Sequence, residues 1–465
     1  ELYFQLHRGT FTSQSRTKRY NRKTETLLHS AEALCTLAHL LGAEYPQDAL
    51  NAAWEIVLLH QFHDILPGSS IREVYEEVEA RYERAQDLAN GALDDALDTV
   101  AGQIGGEGTG FAVFNTLGAT LGGPVELELP GDGPVEVVAP DGTRLPVQWV
   151  DEDARHALVL PDRVPAYGYR CYTVAPAQGD PAPVAQPVEA SAGALDNGLI
   201  RAEFDAQGRL VRVVDREHGR DVLAEGAVGN QLWAYVDRPH HWDAWDVEAY
   251  VEDQGWPVEP SAARLVEAGP LRGTLEVEYA FNQSRIVQRI SLLAGQRALT
   301  FETDVDWREQ HILLKAEFPL NIRATDATYE IQFGTVQRPT HENTPWDQAR
   351  HEVPAQQWAD LSEAGYGVAL LNDCKYGYSA RDNVLKLSLL RSPMYPDPLA
   401  DQGAHTFTYA LLPHAGDWRN GVIEQARRLN YPLFVQPVGA GGSLPAEFSL
   451  VTCDAPGVQI DTIKR

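Results

Sequence analysis

The strongest constraint on this chain is a change of hydrophobic period at Gly105-Gly106-Glu107-Gly108-Thr109-Gly110. Before that break, apolar residues recur every three or four positions, the spacing of a helix with one buried stripe. After it they form short runs and alternations closed by Pro-Gly and Asp-Gly pairs, the mark of strands and turns. Helical patterns do not return between the strand patterns, which argues for stacked antiparallel sheets rather than a parallel sheet with crossover helices.

Residues 16 to about 103 read as three helices. In the first, Leu27, Ala31, Leu34, Ala38 and Leu41 form the stripe and Gly42 ends it. The second opens at Pro46, carries Leu50, Trp54, Val57 and Leu58, and stops at Pro67-Gly68. The third starts with a capping-box pattern, Ser70-Ile71-Arg72-Glu73, and continues through Tyr75, Val78, Tyr82, Ala85, Ala89, Ala92 and Ala96. Short connections between such stripes predict an antiparallel three-helix bundle. Strands are predicted at Phe111–Phe114, Val125–Leu129, Tyr169–Val174, Leu199–Phe204, Leu210–Val214, Leu275–Tyr279, Ile286–Leu293 and Phe407–Leu411, with a linker at Ala175–Pro187. At 465 residues the chain exceeds one ordinary core. The expected organisation is a helical domain over 1–104, a small β domain over 111–175 and a large β-sandwich region over 188–465, mostly antiparallel.

Acidic residues outnumber basic ones 66 to 38, giving a formal net charge of −28. That field repels nucleic acid and anionic membrane surfaces, so neither is an expected partner. No apolar run is long enough for a membrane span. Cys35, Cys171, Cys374 and Cys453 are scattered without a CxxC pair, which points to a reducing compartment, and with no leader pattern at the start a cytoplasmic location is expected. The first residue is Glu1 and the only methionine is Met394, so a processed chain or a piece of a longer one is expected.

The chemistry-bearing signal closes the second helix: His60-Gln61-Phe62-His63-Asp64-Ile65-Leu66-Pro67-Gly68. His60 and His63 are three apart, and on a helix both face one way and can hold a metal. A histidine at a helix C-terminus also interacts favourably with the dipole, and spacing alone leaves both readings open. Trp242-Asp243-Ala244-Trp245-Asp246 offers aromatic faces and carboxylates suited to a sugar, and equally to packing and a turn. Arg391, Asp397 and Asp401 lie in a polar, Pro-rich loop read as a turn scaffold.

Trp54 through Ser70, with its core Gln61 to Ser69, resembles the middle-domain motif of glycoside hydrolase family 38 α-mannosidases. So do His7-Arg8-Gly9-Thr10-Phe11-Thr12-Ser13-Gln14 with Lys18-Arg19 and Asn21-Arg22, Asp196 to Ile200, Trp242 to Asp246, Gly367 to Asp373, Leu389 to Pro393, and Asp401 to Gly403. The resemblance runs through nearly the whole chain in the family's order. The family's junction reads Glu-Leu-Tyr-x-x-Leu-His-Arg-Gly-Thr, so Glu1 to Gln5 is taken as native rather than as a protease-tag remnant.

The resemblance implies a retaining exo-acting hydrolase of α-mannosides that works with two catalytic groups about 5 Å apart. It implies a zinc ion that grips sugar hydroxyls, with His63 as one ligand and Asp64 as a residue that binds mannose or orients the site. Trp242, Asp243, Trp245 and Asp246 become substrate-binding candidates. The nucleophile, the acid/base residue and the other zinc ligands belong to the family's upstream α/β domain. No catalytic residue is therefore expected in this chain, which alone is expected to be inactive, and Ile460 to Arg465 looks like the entry to a further β-segment. The implied partners are an α-mannoside oligosaccharide, that upstream domain and a second copy in a homo-oligomer. The rival reading is a non-catalytic module that binds carbohydrate or a partner.

Overall fold

The structure is a computed structural model that describes residues 6–105, 109–131, 133–151, 153, 155–439, 441–455 and 457–465. The junction residues 1–5 and part of the Gly-rich break lie outside the described residues.

Three long helices come first: α1 (Ser15–Leu40), α2 (Gln47–His60) and α3 (Arg72–Ala101). They share one apolar core in which Leu28 and Leu34 of α1 meet Leu50 and Val57 of α2 and Val78, Tyr82 and Leu93 of α3. Gly42 closes α1 at φ 103°, its amide returning to the His39 carbonyl, a conformation a side chain would strain. The predicted capping box does not form at α3. Its N-cap is Ile71, and the Ser70 hydroxyl instead donates to the Asp64 carbonyl at 2.7 Å, so the turn before the helix takes the group that would have capped it.

Every strand ladder among the described residues is antiparallel. The largest sheet has nine strands, beginning as a meander through Pro260–Ala268, Arg272–Phe281, Ser284–Leu293 and Leu299–Trp307 before Gly403–Ala415 joins it. A six-stranded sheet centred on Ile312–Pro319 and Val384–Arg391, and a five-stranded meander containing Ile200–Phe204 and Leu210–Asp215, contribute to the same core. Phe301, Trp307, Phe318, Leu387 and Tyr409 fill it. All eight predicted runs contain or overlap strands.

A smaller sheet links the two halves. Gly110–Asn115 lies between Gly168–Pro176 and Phe434–Val438, while Glu447–Ser449 pairs with Gly168–Pro176 on the other edge. Side chains alternate along Gly110–Asn115. Phe111 and Val113 enter a core with Val125, Val137 and Tyr172, whereas Ala112 and Phe114 join the helical core. Residues 434–449, grouped by the sequence with the large β region, thus return to the small sheet. Edge pairing depends on distant partners that local period does not encode.

Candidate functional site

α2 stops at His60, and the next eight residues are turns rather than helix. This separates the two histidines. His60 is buried against Tyr82, donates Nδ1–H to the Ile56 carbonyl at 2.6 Å, and is held below the ordinary imidazole range by burial. His63 lies beyond the helix end with its side chain 78% exposed, Nε2 at 3.5 Å from Asp64 Oδ2 and its ring beside Phe62. A spacing of three aligns side chains only while the helix lasts, so the two do not form a metal pair.

The turn is exposed above and fixed below. The Gln61 amide donates to Asn21 Oδ1 at 3.1 Å and Glu25 Oε1 at 2.8 Å on α1. The Asp64 carbonyl accepts from Ser70 at 2.7 Å and lies 3.3 Å from the hydroxyls of Ser69 and Tyr75, and Ser69 also reaches Asp64 Oδ1 at 3.2 Å. Lys18 Nζ donates to the carbonyls of Ser13 at 2.5 Å and Leu66 at 2.8 Å. Gly68 has φ 95°, and a Cβ there would come within 2.5 Å of the Ser13 carbonyl oxygen, so only glycine fits.

Ser13 also connects the turn to the second predicted segment. Its hydroxyl donates to the Ala244 carbonyl at 2.8 Å and accepts from Arg391 Nη1 at 3.0 Å. Arg391 is fully buried; it reaches Asp237 Oδ2 through Nε at 2.5 Å, the Ala244 carbonyl at 3.0 Å and the Asp246 carbonyl at 2.5 Å. Gly9 packs directly on that guanidinium, and its amide donates to the Trp245 carbonyl at 2.8 Å. Residues 8–15 are therefore threaded between the 242–246 loop and the segment from Arg391 to Asp401. Asp401 accepts the amides of Gln14 at 2.9 Å and Ser15 at 2.7 Å, placing a carboxylate at the start of α1, where the helix dipole favours it. Asp397 accepts from the Gln14 amide at 2.8 Å. Burial drives Lys18 down to about 7 and Asp401 up to about 6 in this dry knot.

In the 242–246 loop the predicted residues divide. Asp246 binds Arg8 Nε at 3.0 Å, and Asp243 accepts the Met394 amide at 2.5 Å with His311 at 3.5 Å, so both carboxylates already have protein partners. Trp242 is 65% exposed with φ 60°, edge-on to Trp245, whose ring approaches Tyr395 at 6.5 Å. Sequence reasoning missed Ser13, Gln61 and Arg8 as the parts that hold the site; the glycines at 9 and 68 were the available signal.

Among the described residues no group of three or more His, Cys, Asp or Glu side chains is arranged to hold a metal ion. His63 with Asp64 supplies at most two donors, short of a tetrahedral shell.

Comparison with known proteins matches residues 5–100 to the alpha mannosidase middle domain and residues 195–399 to the glycosyl hydrolases family 38 C-terminal domain. The chain is 41% identical over 478 residues to alpha-mannosidase 2C1 of Homo sapiens, an alignment covering all of this chain and 43% of that protein. It is 32% identical to alpha-mannosidase G of Dictyostelium discoideum, covering all of this chain and 46% of that one. It thus spans less than half the length of these curated relatives. The crystal structure of an alpha-mannosidase from Enterococcus faecalis V583 matches with a TM-score of 0.81 at 17% identity, over 98% of this chain and 61% of that chain.

Proposed function

The chain belongs to glycoside hydrolase family 38, and from that premise we propose that it is the middle and C-terminal part of a zinc-dependent, retaining α-mannosidase. In this reading, 1–104 forms an antiparallel three-helix bundle, 111–175 with its returning strands a small β domain, and 188–433 a β-sandwich region. An upstream α/β domain carries the nucleophile, the acid/base group and the remaining zinc ligands. The substrate is a terminal α-mannoside of an oligosaccharide. A cytoplasmic location and a homo-oligomer belong to the same proposal.

The observation that carries it is the contrast within one turn: His63 is exposed while its backbone is tied down by Gln61, Ser70 and Lys18. A side chain presented on a fixed backbone suits a ligand that completes a site made by another domain. His63 would supply a neutral imidazole to the zinc, and the ion, when bound, polarises sugar hydroxyls. Asp64 would orient that imidazole or accept from a hydroxyl. Trp242 and Trp245 present aromatic faces and edges to the sugar, while Asp243 and Asp246 hold the loop that carries them.

The test is hydrolysis of an aryl α-D-mannoside by the intact natural protein, assayed as prepared, stripped of metal and with zinc restored, for wild type and His63→Ala. Zinc-dependent activity that collapses in the variant supports the proposal. A folded intact protein inactive on every α-mannoside overturns it.

A further inference from the structure

A cleft of about 670 Å³ opens between α1, α2, the hairpin turn Ile331–Gly334 and helix α4 (Val422–Asn430), with Asp461, Thr462 and Lys464 also on its lining, well within the size range of small-ligand sites. At its rim Phe333 is 98% exposed and has φ 53°. Both facts oppose the residue locally: left-handed backbone favours Gly or Asn, and water disfavours a bare phenyl ring. Neither turn chemistry nor packing explains a phenylalanine there. The lining also carries Trp54, whose indole is held in place by Nε1–H donating to Glu32 Oε1 at 3.0 Å.

The lining mixes apolar groups such as Trp418 and Ile423 with charged ones. Its acidic side chains (Glu25, Glu32, Glu330, Asp461) nearly balance its basic ones (Arg22, Arg427, Lys464), so a strongly charged ligand would meet its own sign about as often as the opposite one. Arg22 is already committed to Tyr376, Asn430 and the Gln356 carbonyl. Glu330 accepts the Gln357 amide at 2.6 Å, and burial holds both Glu330 and Glu25 above the ordinary carboxylate range. Carboxyl and amide groups flanked by aromatic faces form the lining that fits a neutral polyol with one apolar ring face.

We propose that this cleft is a second carbohydrate-binding site, taking a neutral di- or trisaccharide with one ring against Phe333. It does not depend on the hydrolytic reading, although Glu25 on its wall also accepts from Gln61 of the turn that carries His63.

The experiment titrates this chain with α-mannobiose, mannotriose, cellotriose and inorganic phosphate, read by saturation-transfer NMR, and repeats the cellotriose titration on the intact natural protein. Saturable binding of a neutral oligosaccharide is expected, weakened roughly three- to tenfold in Phe333→Ser and in Gln332→Ala, and absent for phosphate. Phe333 supports no core, so its variant folds. Three outcomes overturn the proposal: no saturable binding, binding unchanged in Phe333→Ser, or dimers that dissolve in Phe333→Ser, which would assign the rim to a contact between copies.

Discussion

The Lys18 ammonium donates to the Leu66 carbonyl at 2.8 Å, tying the first turns of α1 to the turn that presents His63 and Asp64. Because the same nitrogen reaches the Ser13 carbonyl, the candidate site is positioned from α1 and the junction segment and not from α2 alone.

His63 is exposed and supports no core. His63→Ala should leave the thermal midpoint of the chain within about two degrees of wild type. In the intact natural protein it should lower mannosidase activity roughly 100-fold or more. Calorimetry and steady-state assays check the two halves separately.

The isolated chain should bind zinc no more tightly than an exposed histidine does, since the described residues offer no third donor. Isothermal titration of wild type and His63→Ala tests this. One tight site in wild type, lost in the variant, would contradict the account of a shared ligand set.

Gly68→Ala should destabilise the chain by about 1–3 kcal/mol in urea unfolding, because the new Cβ meets the Ser13 carbonyl at a left-handed backbone position. Activity of the intact protein should fall with it, since the turn must move.

Arg391→Met leaves the buried Asp237 carboxylate without its partner while removing donors from Ser13, Ala244 and the Asp246 carbonyl. A loss of about 3–5 kcal/mol is expected. Arg391→Lys should recover little of it, since one ammonium cannot span four acceptors.

Acid should unfold the chain partly through buried imidazoles. Burial, then Lys375, presses His405 down to about 3, and His60 and His351 are lowered by burial as well. A depressed histidine stabilises the fold fully above its unfolded value near 6.5, and that stability is lost as pH falls towards the folded value. The slope is ~1.4 kcal/mol per pH unit for each histidine that titrates only on unfolding. Urea midpoints from pH 7 to 4 should fall less steeply in His405→Gln.

Local period made the elements legible: the stripes from Leu27 to Leu41 and from Tyr75 to Ala96 mark buried helix faces, and the runs at Phe111, Ile286 and Phe407 mark strands. The same reading failed where a group had two suitors. Ser70 matched a capping box, but the preceding turn offered its hydroxyl the Asp64 carbonyl. His60 and His63 matched a metal spacing, but α2 ended between them. Asp401 as the cap of α1 was not legible, because nothing in residues 14–15 names an acceptor nearly four hundred positions away. His63 and Trp242 were singled out as candidates by local pattern and resemblance, while the frame of Ser13, Lys18 and Arg391 became visible only in three dimensions.

The strand Gly110–Asn115 has a further consequence for synthesis. Phe114 lies beside Phe434, so one edge of that strand stays unpaired until residues more than three hundred positions later have left the ribosome. The helical region is made before it, with Ala112 and Phe114 as part of its floor and the covering strand still unmade. The nascent protein carries an open sheet edge until that strand arrives, an invitation to chaperones and to aggregation alike. Chains truncated before residue 434 and released should therefore be markedly more protease-sensitive around residues 110–115 than released chains that extend past 450.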